Sequence, residues 1–378
     1  MILSFIVFFL IFSILVLIHE LGHFVMARKS GVSVDEFGFG YPPKIFGRRV
    51  GKTEYSINLI PFGGFVRIPG SDYEEPSCAD RRNKGNFANQ SPKVKLAILL
   101  GGIFMNLALA VVLYYAVFAL RNFTSLPLFL FSDFNFKYGT VNKIENVIMY
   151  TQNSNSKFEA GDEIVSISYD DSTVYPKTLD AVVNFIADKK DTSLTFNVEN
   201  IQTGEKRQVR ARTYFDESLN RYVVGIGLGE AATISYNGIL EKVFAPFLQG
   251  ANVLMYSSSI FGSLINSSVE TGSVKPVAES LTGPVGIFFI VEAILKMGGS
   301  FVFVSLLDFT ALLSLSLAFM NILPIPGLDG GHLVFVLYEW VFKRRLPLKV
   351  MRYTSSIGMY ALIVLAVLVA FKDFFMFR

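Results

Sequence analysis

Residues 16–26 read VLIHELGHFVM and place three ionisable side chains within an apolar run. Each residue of an α-helix advances by about 100°, so His19 and His23 lie about 40° apart on one face, with Glu20 on the neighbouring flank. In the pattern His-Glu-x-x-His, both imidazoles can bind one zinc ion while the glutamate accepts a proton from the attacking water. The spacing therefore predicts the metal centre and general base of a hydrolase.

The surroundings of this pattern are those of a membrane-spanning helix. An ionised side chain near the centre of a bilayer costs roughly 2.5 to 3.5 kcal/mol on insertion scales and usually has a function. The alternative interpretation is a polar cluster at a helix end whose side chains reach the membrane interface. Two metal-binding side chains beside a carboxylate favour the metal centre.

A zinc enzyme needs a third protein ligand and an open fourth position. The stretch NILPIPGLDGGH, residues 321–332, offers Asp329 and His332 after another apolar run. Pro324 and Pro326 interrupt helical hydrogen bonding, which membrane proteins tolerate where the backbone is buried in protein or lines a wet cavity. A Pro-Gly turn between two ordinary spans is the alternative, and the presence of the first motif makes it less favoured.

The composition is that of an integral membrane protein. Hydrophobic residues make up 52% and charged residues only 17% of the 378 residues, which is too apolar for a soluble protein of this length. The net charge of 34 − 31 = +3 argues against a nucleic-acid partner. A single cysteine, Cys78, excludes an intramolecular disulfide, and three histidines limit the candidate metal ligands.

Spanning segments and their orientation follow from hydropathy and charge. A spanning helix takes about 18 apolar residues or more. The segment from Arg28 to Lys95 contains twelve Lys or Arg and seven Asp or Glu. This basic excess predicts that the segment is a cytoplasmic loop and that both termini lie outside. The more polar segment 243–269 is predicted to be a helix at the membrane surface. The four apolar segments are Met1–Ile18, Leu96–Leu120, Gly299–Leu328 and Tyr353–Phe371.

A polar insert after the second span predicts a soluble domain. Stretches such as SLTFNVEN and KRQVRART alternate in polarity and are bounded by turn residues, as strands are. FEAGDEIVSI, residues 158–167, resembles the A-G-D-x-I-x-x-I stretch of bacterial PDZ domains. The polar stretch YTQNSNSK, residues 150–157, replaces the small-residue segment of those domains. One PDZ-like α/β domain on the extracytoplasmic side is expected.

These motifs and their order resemble the bacterial site-2 protease family of intramembrane zinc metalloproteases, in particular its RseP-like members (regulator of sigma-E protease). TEYSINLIPFGGFVRIPG, residues 53–70, is similar to the re-entrant β-hairpin of the family, and LTGPVGI, residues 281–287, to a shared segment before the third span. The resemblance implies a Zn2+-dependent endopeptidase that cleaves transmembrane segments of single-pass membrane proteins already trimmed by another protease. Anti-sigma factors and remnant signal peptides are the implied substrates.

The resemblance also implies roles in the metal centre. Asp329, rather than His332, becomes the third zinc ligand beside the two histidines of the first span, with Glu20 as the catalytic residue. Asn106 is an auxiliary residue, in the stretch GGIFMN, residues 101–106, where the family has G-P-x-x-N.

Substrate-binding residues are predicted on two segments. By the resemblance, Asn321 would contact the substrate backbone. The side chains of Ile57, Leu59 and Phe65 alternate along the predicted hairpin, whose edge could hold an unwound substrate through main-chain pairing. The alternative is a hairpin that only packs against the membrane face.

The expected fold is a polytopic α-helical membrane protein with four transmembrane helices, a re-entrant β-hairpin and one inserted extracytoplasmic PDZ-like α/β domain. Its expected location is the bacterial cytoplasmic (inner) membrane, with the metal near the cytoplasmic side. The lipid bilayer and single-pass membrane proteins are the expected partners, and the oligomeric state stays open. The predicted segments are 1–27 (first transmembrane helix), 28–95 (cytoplasmic-side loop with the hairpin 53–70), 96–120 (second helix), 135–229 (PDZ-like domain), 230–298 (interfacial helices), 299–342 (third helix and broken LDG segment) and 353–372 (fourth helix).

Two non-enzymatic classes compete with this interpretation. A PDZ-bearing scaffold would not need Glu20. A metal transporter would be expected to carry acids or histidines on several spans, and three histidines make that class less favoured.

Overall fold

The structure is a computed structural model that describes residues 1–71, 83, 85–131, 133–151, 157–170, 172–299 and 301–376. Cys78 and most of the polar insertion of the predicted PDZ-like domain lie outside these residues. All residues predicted to bind metal or substrate lie within them.

The apolar runs of the sequence form long helices. Among the described residues, α1, α2, α7 and α9 are the four helices long and apolar enough to cross a membrane. α4 is not one of them, although it is longer, in keeping with the polar side chains of Gln249 and Asn252 that it buries. The helices are α1 (Ile2–Lys29), α2 (Pro92–Leu120), α3 (Leu179–Ala187), α4 (Ile239–Thr271), α5 (Lys275–Ser280), α6 (Pro284–Lys296), α7 (Phe301–Ile322), α8 (Asp329–Phe342) and α9 (Leu348–Met376).

The strands belong to two compact units of the chain. The first unit comprises Met1–Tyr114, Ser268–Gly298 and Leu306–Arg378, and the second comprises Tyr115–Ser267 and Gly299–Ser305. The strands are β1 (Glu36–Val50), β2 (Thr53–Arg67), β3 (Leu128–Leu130), β4 (Thr140–Thr151), β5 (Asp162–Tyr169), β6 (Ser172–Val174), β7 (Ser193–Asn200), β8 (Lys206–Arg212), β9 (Tyr214–Asp216), β10 (Arg221–Val223) and β11 (Ile226–Ser235).

The first unit has two clusters of buried apolar side chains along α1. One joins Phe8, Ile11 and Leu15 to Val291 of α6. The other lies at the C-terminal end of α1 and draws on α2, α7 and α8, so it surrounds the end of the helix that carries the His-Glu-x-x-His motif. Its buried members are Ala27, Val32, Val34, Ile68, Phe87, Ile98, Leu99, Ile103, Ala318, Leu333 and Val336.

β1 and β2 form a two-stranded antiparallel sheet in the first unit. The sequence predicted a hairpin at 53–70 and did not identify a strand before it, whereas β2 pairs with β1 along most of its length. The start of β1 lies between two segments of β2, since Phe37 pairs with both Tyr55 and Val66. The remainder of β1 pairs with the first half of β2, as Phe46 does with Ile57. Residues 64–67 therefore form an edge of this sheet.

The last helix of the first unit is held at two points. Gly358 of α9 lies so close to Pro326 that a Cβ at this position would overlap the Pro326 carbonyl. Near the other end, the Asp373 carboxylate accepts hydrogen bonds from the backbone N–H groups of Gly283 at 2.8 Å and Gly286 at 3.0 Å, at the start of α6. The contact with Gly358 helps to position the loop that precedes α8.

The second unit is built around a seven-stranded sheet with the order β3-β11-β4-β5-β7-β8, in which β6 pairs with β5. Buried and more exposed residues alternate along β7, where Leu194, Phe196 and Val198 face the core, as the SLTFNVEN pattern predicts. α3 adds Val182 and Ile186 to the same core. This sheet begins before and ends after the predicted insert of 135–229.

A buried ion pair lies at the start of β5. Asp162 is completely buried and accepts two hydrogen bonds from Nη2 of Arg207, at 2.7 and 2.8 Å. The backbone N–H of Glu159 and the side-chain amide of Asn200 donate to the same carboxylate, at 2.9 and 3.3 Å. Both carboxylate oxygens are thus satisfied, as a buried charge requires.

Candidate metal centre

The helical spacing of the His-Glu-x-x-His motif brings its three side chains together. Near the C-terminal end of α1, the ligand atoms of His19, Glu20 and His23 lie within 4.8 Å of one another. Nε2 of His19 is 3.1 Å from Nε2 of His23. His23 is buried and the other two side chains are partly buried, so the cluster lies inside the first unit.

Asp329 reaches this cluster from the far end of the chain. α7 ends at Ile322, the following segment contains Pro324 and Pro326, and α8 begins at Asp329 itself. Oδ2 of Asp329 lies 3.0 Å from Nε2 of His19 and 3.2 Å from Nε2 of His23. The break between the two helices therefore delivers one carboxylate oxygen to both imidazoles.

The three converging atoms suit a cation. Nδ1 of His23 donates a hydrogen bond to the Ile98 carbonyl at 2.8 Å, which leaves a lone pair on Nε2 of this ring. Oδ2 of Asp329 is buried and accepts no hydrogen bond from the described residues, although both imidazoles are close. Zinc ligands at about 2.0 to 2.1 Å in a tetrahedron are about 3.3 Å apart, near the observed 3.0–3.2 Å. The residues present fit a zinc ion.

Glycines at the crossing of α1 and α2 make this arrangement possible. A Cβ at Gly22 would overlap the carbonyl of Gly101. A Cβ at Gly102 would lie 2.5 Å from Nε2 of His23 and 2.8 Å from Cε1 of His19. Small residues let helix backbones approach closely in membranes, and here they let both imidazoles lie against α2.

Glu20 is held by the sheet of the first unit. Its Oε2 accepts a hydrogen bond at 3.1 Å from the backbone N–H of Val66, on the edge segment of β2. This hydrogen bond from Val66 holds the Glu20 carboxylate beside the two histidines. Such a group is suited to accept a proton from a molecule bound at the metal.

The three residues predicted to bind substrate on the hairpin differ in their positions in the sheet. Phe65 directly precedes Val66 and therefore lies on the edge segment that contacts Glu20. Ile57 and Leu59 are exposed, and the backbone of Ile57 is already paired with Phe39 and Phe46.

Two asparagines were predicted at or near the centre. Asn106 is completely buried, and its side-chain amide lies 3.3 Å from Nδ1 of His19. Asn321 is partly buried in the last turn of α7, at the start of the segment that leads to Asp329. His332 lies one helical turn after Asp329, with its ring facing Phe335 at 6.4 Å.

Sequence reasoning missed three groups that complete the site. They are the Ile98 carbonyl, the Val66 N–H and the absent side chain of Gly102. Main-chain groups leave no trace in the residue types. Only the Gly-Gly pair at 101–102, inside a spanning segment, is a signal that marks a close helix contact.

Comparisons with known proteins identify the family. A protein of Clostridium perfringens is 29% identical over 364 residues, which cover 96% of this chain and 96% of that protein. One of Clostridium acetobutylicum is 31% identical, with 96% and 95% covered, and one of Staphylococcus aureus is 28% identical, with 97% of each covered. All three bear the name "Putative zinc metalloprotease". The family model described as "Peptidase family M50" matches residues 7–365. The chain therefore belongs to peptidase family M50, the site-2 protease family of zinc-dependent peptidases.

Proposed function

We propose that this protein is an intramembrane endopeptidase that hydrolyses peptide bonds within transmembrane segments of single-pass membrane proteins. The observation that carries the proposal is the convergence of two imidazole nitrogens and one carboxylate oxygen beside Glu20. Both histidines and Glu20 lie on α1, which is apolar enough to span a membrane. The names of the relatives agree with zinc as the metal.

His19, His23 and Asp329 would hold the ion through Nε2, Nε2 and Oδ2. When bound, zinc polarises the scissile carbonyl and makes the attacking water more acidic. Glu20 accepts the proton of that water and passes it to the leaving amine. The hydrogen bond from the Val66 N–H keeps the Glu20 carboxylate beside the metal ligands, where it can accept the proton.

The position of the motif on α1 supports a site near the cytoplasmic face. Arg28 follows His23 by about 8 Å along the helix axis, at about 1.5 Å per residue. Arg28 and Lys29 end the helix, and the loop after them carries the basic excess that favours the cytoplasm. Water can reach this depth more easily than the bilayer centre. The protein is accordingly proposed to lie in the bacterial cytoplasmic membrane.

The sheet of the first unit is proposed to re-enter the membrane along α1. The Phe62 ring lies 5.6 Å from the ring of Phe9 and 5.7 Å from that of Phe12, and Ser13 donates a hydrogen bond to the Pro61 carbonyl at 2.9 Å. Ser13 is about 24 Å from Lys29 along the axis, at about 1.5 Å per residue. The turn at Pro61 and Phe62 thus lies far from the cytoplasmic end of the span.

This sheet offers two kinds of contact to an unwound substrate. Main-chain pairing is proposed at the edge segment 64–67, because Val66 there already binds an acceptor beside the catalytic centre. Ile57 and Leu59 are proposed to contact the substrate through their side chains, which belong to residues 50% and 58% exposed. Asn321 is proposed to bind the substrate backbone beside Asp329.

The second unit is proposed to contain the PDZ-like domain, on the extracytoplasmic side. In support, Asp162 follows a turn and begins β5, and Ile164 and Ile167 of that strand are buried, in agreement with the A-G-D-x-I-x-x-I pattern. The substrates are proposed to be membrane proteins already trimmed by another protease, such as anti-sigma factors, or remnant signal peptides.

The decisive experiment replaces Glu20 with glutamine. Glu20→Gln should abolish cleavage of a membrane-embedded model substrate in liposomes while bound zinc stays near one ion per chain, because the carboxylate carries protons and does not hold the metal. Glu292→Gln is the matched control, since Glu292 is a buried acid of α6 that pairs with Lys296 at 3.1 Å. Cleavage by Glu20→Gln within a few-fold of the unchanged protein would refute the proposed activity.

A further inference from the structure

Asn106 is a buried polar side chain next to the metal centre. It lies on α2, is completely buried, and accepts a hydrogen bond on its main-chain oxygen from Ser314 at 2.7 Å. Its Nδ2 is 3.3 Å from Nδ1 of His19, on the side of the ring away from Asp329. Its Oδ1 is buried with no hydrogen-bond partner in the described part of the chain. A buried amide oxygen without a partner is costly and needs an explanation.

The two histidines differ in the hydrogen-bond partner of Nδ1, which decides which ring nitrogen carries the proton. The partner of His23 is the Ile98 carbonyl, which can only accept, so Nδ1 of His23 carries a proton and Nε2 keeps its lone pair. The partner of His19 is an amide, which has a donor at one end and an acceptor at the other. His19 can therefore adopt either neutral form, depending on which end of the Asn106 amide faces it.

One orientation of the amide suits the protein without metal. With Nδ2 facing the ring, Asn106 donates to Nδ1 of His19, whose proton is then on Nε2. Two acceptors lie near that proton, Oδ2 of Asp329 at 3.0 Å and Nε2 of His23 at 3.1 Å from Nε2 of His19. With His23 as the acceptor, the hydrogen bonds run from Asn106 through both imidazoles to the Ile98 carbonyl. In this state Nε2 of His19 cannot bind a metal ion.

The opposite orientation suits metal binding. A half-turn of the amide brings Oδ1 to the position of Nδ2, where it accepts the Nδ1 proton of His19. Nε2 of His19 then directs a lone pair at the same point as Nε2 of His23 and Oδ2 of Asp329. The turn breaks no hydrogen bond of Oδ1 within the described residues, because this atom has none.

We propose that Asn106 is a positioning residue that turns its amide when zinc binds, and so selects the form of His19 that can ligate. This inference rests on the proposed zinc-dependent function but concerns metal binding and not cleavage. Hydrogen bonds to the second nitrogen of a metal-binding histidine fix its orientation and raise its basicity. Asn106 performs this role for His19, as the Ile98 carbonyl does for His23.

The test compares variants of the full-length protein in detergent. Asn106→Leu keeps the size and removes both hydrogen-bonding ends, and it should weaken zinc binding about 10- to 100-fold, measured by competition with a chelator. Asn106→Asp keeps an acceptor and should bind zinc as tightly as the unchanged protein or more tightly. Ser314→Ala is the control for packing, because it removes the contact with the Asn106 main chain and leaves the His19 contact, and it should change zinc affinity less than three-fold.

A second readout follows the protons directly. The chain has only three histidines, so 15N NMR of the imidazoles can resolve each ring. In the unchanged protein, His19 should carry its proton on Nε2 without zinc and on Nδ1 with zinc, while His23 carries it on Nδ1 in both states. In metal-free Asn106→Leu, His19 should show a mixture of both forms.

Three results would overturn the inference. They are zinc binding by Asn106→Leu that equals that of the unchanged protein, a loss in Asn106→Asp as large as in Asn106→Leu, and binding of zinc through Nδ1 of His19. All measurements can be made in the Glu20→Gln background. Failure of this inference is thereby separated from failure of the proposed proteolysis, and the NMR of the unchanged protein decides even where a variant does not fold.

Discussion

Two aspartates, one in each unit, follow a glycine-containing turn and begin a regular element, yet their surroundings differ. Asp162 in the second unit receives hydrogen bonds from Arg207, Asn200 and the Glu159 backbone, so both of its oxygens are satisfied. Asp329 in the first unit has a buried oxygen that no described donor satisfies, with two imidazole nitrogens beside it. The protein itself supplies the hydrogen-bond partners of the Asp162 carboxylate, whereas the Asp329 carboxylate needs a bound cation to complete its contacts.

Unsatisfied polar atoms distinguish a binding site from a structural cluster. Buried charges that contribute to a fold are paired and hydrogen-bonded, because an unpaired buried charge would destabilise the folded state. Where three potential metal-binding atoms converge and a buried oxygen among them has no hydrogen-bond partner in the described residues, a cation from outside the chain completes the site. Burial alone does not make this distinction, because Oδ2 of Asp329 is buried, as is the whole side chain of Asp162.

The largest expected effect is that of Asp329→Ala on zinc. Loss of a ligand should weaken zinc binding by more than the about 10- to 100-fold that loss of an outer hydrogen-bond partner causes. His332→Ala, one turn further along α8, is the matched control and should keep most of the bound zinc. Metal analysis and chelator competition measure both, and a larger loss in His332→Ala would reverse the assignment of the third ligand.

Asp162→Ala should lower the stability of the second unit and leave zinc binding unchanged. It leaves Arg207 without its main partner and should destabilise the second unit by about 2 to 3 kcal/mol, with zinc affinity unchanged. Hydrogen exchange of the β5 and β7 amides in the full-length protein measures the stability. Lys206→Ala removes one partner of the exposed pair with Glu199 and should cost less than about 0.5 kcal/mol. Loss of zinc in Asp162→Ala would mean that the two clusters are not independent.

Gly102→Ala tests the space beside the imidazoles without removing any ligand. The added Cβ would lie 2.5 Å from Nε2 of His23, so the ring or α2 has to move. Zinc affinity should fall on the order of 10- to 100-fold, as for other disturbances of ligand orientation. Gly262→Ala in α4 is the matched control, because no described atom lies within 4 Å of its added Cβ. Equal zinc affinity in both variants would show that the close approach of α2 is not needed.

The smallest expected effect concerns a like-charge pair in the sheet of the second unit. Glu163 pairs in register with Glu199, and burial together with this neighbouring carboxylate raises the pKa of Glu163 above its usual 4.5. The raised pKa means that ionised Glu163 destabilises the folded state. Glu163→Gln should therefore stabilise the unit at pH 7 by a few tenths of a kcal/mol.

The pH dependence provides the check on this last prediction. The gain should shrink as the pH falls through the raised pKa of Glu163, and vanish below the usual 4.5, where the acid is neutral in both states. Glu205→Gln, at an exposed position, should show no such gain. A gain that persists at low pH would have a cause other than charge.

The family match confirms the resemblance to site-2 proteases, and the four candidate spanning helices agree with the expected membrane architecture. Long apolar runs are strong signals, because a helix of about 20 residues is needed to cross a bilayer. β1 was missed because EFGFGYPPKIFGRRV contains three glycines and two prolines, which weaken any strand pattern. Its pairing comes from β2, a partner that local residue types do not reveal.

In the metal centre, the grouping of His19 and His23 with Glu20 follows from the sequence alone, because the period of the helix brings residues four positions apart onto one face. The side chains that surround this pair come from other helices and from a sheet. Only the packing of α1 against α2 places Asn106 and the Ile98 carbonyl on the imidazoles, and only the break before α8 delivers Asp329. The physical reason is that local periodicity acts over one helical turn, whereas the protons and lone pairs of a metal centre are arranged by groups far apart in the chain.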